Sequence, residues 1–118
     1  MDAAPRIDAS GPATRGVDAL EVSALPGRCG IRARGAISAA TRHRWEQALA
    51  ALARRHADVS YLELSQVAFV DVAGVRALAL TAINLPGRLL VVEHPPPQVP
   101  RVLQMFWPGL HEIEVVPR

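Results

Sequence analysis

The side chains in this 118-residue chain that could do chemistry are few and scattered. His43 and Glu46 stand three apart in a helical pattern, the spacing of half a carboxylate-bridged metal site. The chain holds no second copy of the pair, so they read as two solvated polar residues. Glu93 and His94 end an apolar run, where parallel-sheet proteins place active sites. No nucleophile motif and no glycine-rich phosphate loop accompanies them. The single Cys29 excludes an internal disulfide and a cysteine-based metal site. Arg28 and Arg32 would favour its thiolate, but a buried strand thiol is the simpler reading. No catalytic residue, metal or cofactor is expected. What remains is Asp71, followed by Val72, Ala73 and Gly74, where a buried strand gives way to a helix. A carboxylate there can accept the unpaired N–H groups of the first helical turn.

The elements that hold this turn must come from one domain of ordinary size. A chain of this length buries roughly two-thirds of its unfolded surface. Half the residues are hydrophobic, but only Trp45, Tyr61, Phe69, Phe106 and Trp107 are aromatic, so the core is mostly aliphatic. All thirteen basic residues are Arg, which lifts the pI to about 9.5 at a net charge of only +2. No dense Arg cluster with interleaved aromatics is present, so nucleic acid is not an expected partner. No apolar run reaches the roughly 20 residues of a bilayer span. Residues 1–17 lack a basic start followed by an apolar stretch. They read as a flexible tail ahead of a single domain at 18–118, in the cytoplasm and without membrane insertion.

Leu20, Val22 and Ala24 alternate with Glu21, Ser23 and Leu25, as in a half-buried strand. Pro26 and Gly27 supply a turn. Ile31 and Ala33 then alternate with Arg32 and Arg34 in a second strand. Ser38 or Thr41 can cap a helix running from Thr41 to about Arg55, with Trp45, Leu49 and Leu52 on its inner face. Val59–Leu64 predicts a third strand, with Leu62 and Leu64 on one face and Tyr61 and Glu63 on the other. A short connection follows, in which Val67, Phe69 and Val70 continue burial toward Asp71. A second helix spans about Ala73 to Leu85, with Val75, Leu78, Ala79 and Ala82 inward. Pro86 and Gly87 stop it. Leu89–Val92 suits a central strand covered on both faces. After Pro95–Pro97, a third helix spans Val99–Phe106, with Pro100 confined to its first turn. Met105, Phe106 and Trp107 cannot all turn inward, since helical neighbours lie about 100° apart. Ile113–Val116 is a last strand. The order β-β-α-β-α-β-α-β implies an α/β layer fold with a mixed, mainly parallel sheet.

With these residues in view, the chain resembles a STAS domain, the family of anti-sigma factor antagonists and sulfate transporter tails. Leu64, Ser65, Phe69, Asp71, Gly74 and Leu78 match its pattern of apolar strand, Leu-Ser connection, Asp-Ser-x-Gly and helix. Arg34-Gly35-Ala36-Ile37-Ser38 resembles the family's Gly-Glu-Leu-Asp with both acids replaced. The likeness covers about Val17 to Val116. In the antagonists of the family, the Ser after the Asp is phosphorylated by a partner kinase, and the added charge disrupts docking. Here that position is Val72, and Ala73 follows it. Neither has a hydroxyl, so phosphorylation at the usual site is chemically impossible.

The resemblance therefore implies a non-enzymatic interaction module. Its partner-binding residues would be Asp71, Val72, Ala73, Gly74 and Arg76, with Val72 the degenerate phosphoacceptor. Its partner would be an anti-sigma factor or related regulatory protein in a bacterial transcription circuit. The alternative is a nucleotide or lipid sensor, or an accessory subunit of a transport complex. Self-association as a homodimer is a third reading.

Overall fold

Strands β1 (Leu20–Ala24) and β2 (Gly30–Ile37) form the expected hairpin, paired antiparallel. Gly27 turns it at φ 77°, a left-handed conformation that suits a residue without Cβ. The structure is a computed structural model and describes residues 19–118; the tail expected at 1–17 lies outside them. A 3-10 turn (Ala39–Thr41) leads into α1 (Arg42–Ala53). Then come β3 (Val59–Val70), α2 (Val72–Ile83), β4 (Leu89–Glu93), α3 (Gln98–Phe106) and β5 (Ile113–Val116).

The strands lie in sequence order, and β2, β3, β4 and β5 are all parallel. Three crossovers of one hand that step across the sheet in one direction must lie on one face. Accordingly α1 packs on α2 and α2 on α3. The core forms between these layers. Ile37, Leu62, Leu64, Val67 and Val92 of the sheet meet Trp45, Leu49, Val75, Leu78 and Val99 of the helices, each at most 1% exposed. The other sheet face carries side chains such as Glu21, Arg32, Arg34 and Glu114, all exposed. Val91 is buried on that face without a covering helix, in a row between Tyr61 and Glu114. Among the described residues no helix is long and apolar enough to cross a membrane.

Several expectations change, among them the cover on both faces of β4, which has helices on one face only. First, β3 is one strand of twelve residues, with no connection at Ser65. Its pairing with β2 slips twice, between Arg32 and Arg34 and between Gly35 and Ala36. Each slip places an extra residue on β3 and resets the alternation of its side chains. Second, Phe69 is consequently 42% exposed rather than buried, and Ala68 beside it also faces out. Third, Cys29 lies in the bend before β2, half-buried, with its Sγ 4.0 Å from Arg55 Nη1. Fourth, Ala24 is exposed and Leu25 takes the inward place at the end of the hairpin. Thr41 stands at the N-cap of α1, but its side chain makes no capping bond there. Its hydroxyl donates to Ala36 O at 2.7 Å and accepts from Ser38 N at 3.0 Å, which fixes the turn out of β2.

Candidate functional site

Asp71 leaves β3 with extended backbone, φ −78° and ψ 171°. Its N–H donates to Ile37 O at 3.0 Å, which binds the turn to the end of β2. Its Oδ1 accepts the Gly74 N–H at 2.7 Å, and its carbonyl accepts the Val75 N–H at 3.1 Å. That is N-cap geometry, with one of the helix's unpaired donors satisfied by the side chain. The second carboxylate oxygen takes a longer bond from Arg42 Nη2 at 3.4 Å. Replacing Asp71 with Ala is expected to lower stability by about 0.5–2 kcal/mol. Urea unfolding would measure this, and Asp71→Asn should recover most of the loss, since an amide oxygen can still cap.

Gly74 is buried and shapes the turn. A Cβ there would lie 2.7 Å from Ile37 Cγ2 and 2.9 Å from Val70 Cγ1. Glycine thus lets α2 approach the ends of β2 and β3. Trp45 completes the fastening: its Nε1 donates to Gly74 O at 3.0 Å within the core. Strands β2 and β3 and helix α1 therefore all fix where α2 begins. Ala73 is half-buried beside it.

Two of the five expected site residues point outward. Val72 is 55% exposed at the first helical position, and Arg76 is exposed one turn on. Leu80 at 41% and Ile83 at 45% continue the same ridge. On a 3.6-residue helix these four positions fall within about 80° of one another. Phe69 leads into the ridge from β3. Phe69, Leu80 and Ile83 were not among the expected site residues. The signal for the last two was present: the spacing 72, 76, 80, 83 is a face distinct from the inward stripe. Arg76 stands in the middle of this apolar ridge with no ion pair among the described residues. Beside the ridge, an open groove of about 440 Å³ runs between α1 and α2 past Ala50, Ala53, Ala77 and Leu80.

Two hydroxyls outside the turn, those of Thr81 and Ser65, are engaged elsewhere. Thr81 Oγ1 donates to Ala77 O at 2.8 Å, and Ser65 Oγ donates to Glu63 Oε1 at 2.6 Å. Neither stands at the start of α2. The surface offers apolar contact and one cation, and no nucleophile at its centre.

A second polar cluster lies where the C-terminal end of β4 meets the middle of β3. Glu63 is 7% exposed and takes both Ser65 groups on one oxygen and His94 Nδ1 at 2.7 Å on the other. His94 adopts φ 55°, and its carbonyl accepts from Arg118 Nε at 2.7 Å. Glu93 is held by two bonds from Arg28, at 3.1 and 2.6 Å, which keep its carboxyl below the ordinary range. Burial alone would raise the Glu63 carboxyl; the bonds from His94 and Ser65 outweigh it and hold the group below the ordinary 4.5. A carboxylate depressed in the folded state contributes stability above its unfolded value and loses it as pH falls through the folded value. Glu63→Gln is therefore expected to flatten the acid limb of the stability curve below about pH 4.5. Chemical denaturation at stepped pH would show it.

The fold is thus two layers with one antiparallel edge, and its capped helix start carries a largely apolar, hydroxyl-free outer ridge. The chain belongs to the STAS family: residues 20–113 match the family model described as "Mlab, STAS domain". Among solved structures, it is similar to the anti-sigma factor antagonist SpoIIAA in its unphosphorylated form. That likeness has a TM-score of 0.54 at 20% identity and covers 83% of this chain and 88% of that one. At this identity it shows the shared fold. No curated protein matches the sequence.

Proposed function

We propose that this chain is a non-enzymatic interaction module that docks a regulatory partner through the turn and helix start at 70–76, without phosphorylation at position 72. The observation that carries the reading is Val72 itself, an apolar side chain 55% exposed on a helix start that three other elements hold in place. Leaving such a group in water has a cost that a partner removes. The SpoIIAA likeness supports an anti-sigma factor or related regulator as the partner class, and with it a cytoplasmic role in bacterial transcription. Arg76, at the centre of the ridge, calls for an acidic residue on that partner.

Titration calorimetry with a purified anti-sigma factor of kinase-like fold tests this. Arg76→Glu is expected to weaken binding about tenfold, through like charge in the contact. Glu21→Arg, on the opposite sheet face, should leave affinity unchanged. Equal affinity for Arg76→Glu and the unaltered chain would remove this surface as the interface.

The groove between α1 and α2 favours one second reading, a lipid or nucleotide sensor or an accessory subunit of a transport complex. A ligand that raises the melting temperature in proportion to log concentration would support it.

A further inference from the structure

The edge of the sheet at β5 carries a second surface. In a parallel strand the main-chain groups of alternate residues face opposite sides. Leu90 N–H donates to Glu112 O at 2.8 Å and His94 N–H to Val116 O at 2.7 Å. Even-numbered residues of β5 therefore turn their main chain toward β4. Ile113 and Val115 turn theirs away from the sheet, and among the described residues no backbone bond reaches them. The side chains of these two residues, with Leu103, Trp107 and Leu110, line a groove of about 240 Å³ between α3 and the edge. Phe106 stands over Trp107 edge-on, with ring centroids 5.9 Å apart, and is itself 57% exposed. On the other face of the strand, Glu114 is exposed.

A second copy of this chain fits the edge poorly. An antiparallel two-fold centred on Glu114 sets Glu114 against its counterpart, and one centred on Ile113 sets Glu112 against Glu114. Directly opposed like charges destabilise a strand pair. A two-fold centred on Val115 puts Pro117, which has no N–H, opposite Ile113. The exposed Glu114 favours a segment of opposite charge.

We propose that β5 takes an extended segment of a partner by strand addition, a segment in which apolar and basic side chains alternate. Its main chain pairs with Ile113 and Val115. Its apolar side chains enter the groove beside Trp107, and a Lys or Arg lies across from Glu114 on the other face. This site is separate from the ridge on α2, and it stands whether or not the ridge docks an anti-sigma factor.

The test uses short capped peptides, one alternating lysine with valine and one alternating glutamate with valine. Amide hydrogen exchange is followed by NMR on the full chain. Saturating lysine–valine peptide is expected to slow exchange at the Ile113 and Val115 amides about tenfold or more. The glutamate–valine peptide should leave both amides unchanged. Glu114→Lys, at an exposed position, should reverse the preference. Val72→Asp should change nothing here, which separates this site from the ridge. Three results would overturn the proposal: no slowing at these two amides with lysine–valine peptide, an unchanged preference in Glu114→Lys, or protection of the same amides by concentration-dependent dimerisation without peptide.

Discussion

Val72→Asp is expected to weaken partner docking at least tenfold while leaving the fold intact. The two effects have opposite signs for a physical reason. Position 72 is the first residue of α2, where an acidic side chain interacts favourably with the helix dipole by about 0.3–1 kcal/mol. Val72 is more than half exposed, so its removal opens no cavity. Thermal unfolding should therefore show an unchanged or slightly raised midpoint. Docking is different. A carboxylate carried into an apolar contact loses its water, and an unpaired buried polar group costs about 1–3 kcal/mol, more when charged. About 1.4 kcal/mol is already tenfold in affinity. The substitution also mimics, in part, the charge that a phosphoserine would bring. Val72→Ala keeps the surface neutral and should weaken docking far less. Calorimetry on the three forms separates the outcomes. Equal affinity for Val72→Asp and the unaltered chain would show that the partner binds elsewhere.

Trp45→Ala is expected to be the most damaging single change, costing about 3–5 kcal/mol. Against the 5–15 kcal/mol by which ordinary domains are stable, that is a large fraction. Trp45 is 0% exposed and is the bulkiest of the fully buried side chains. It fills the space between α1 and the start of α2 and donates to Gly74 O. Its loss leaves a cavity where the Asp71 turn is fastened. Trp45→Phe retains most of the volume and loses only the indole hydrogen bond, so it should fall well short of the Ala form. Urea unfolding would rank them. If Trp45→Ala unfolded at the midpoint of the unaltered chain, the indole would not be what joins α1 to the site.

These two residues also mark how much could be read from the chain before folding. Asp71 as a cap follows from local chemistry: a carboxylate at the end of an apolar strand, three residues ahead of a free N–H. The inward stripe of Val75, Leu78, Ala79 and Ala82 follows from helical spacing, and each is at most 1% exposed. Gly74 could not be placed this way. Whether a glycine admits a partner or a packed side chain depends on what lies opposite. Here Ile37 and Val70 do, one from a strand far back in the sequence. Phe69 defeated the alternation rule because two register slips in the β2–β3 pairing reset the phase of β3. Those slips belong to the pair of strands and have no signature in either one alone. Glu63 looked like an ordinary outer-face residue until His94 and Ser65 closed over it.

The order of elements, the capped start of α2 and the lack of any hydroxyl at positions 72 and 73 are legible along the chain. Each is a property of neighbours along the chain, where periodicity and side-chain chemistry act within a turn or two. Tertiary structure alone decided which side chains reach the surface there, and that Val72, Arg76, Leu80 and Ile83 form one ridge while Gly74 lies beneath it. It also decided that, among the described residues, β5 is an edge strand with Ile113 and Val115 facing outward. Exposure and pairing depend on what packs across a gap, and only the closed chain supplies the other side.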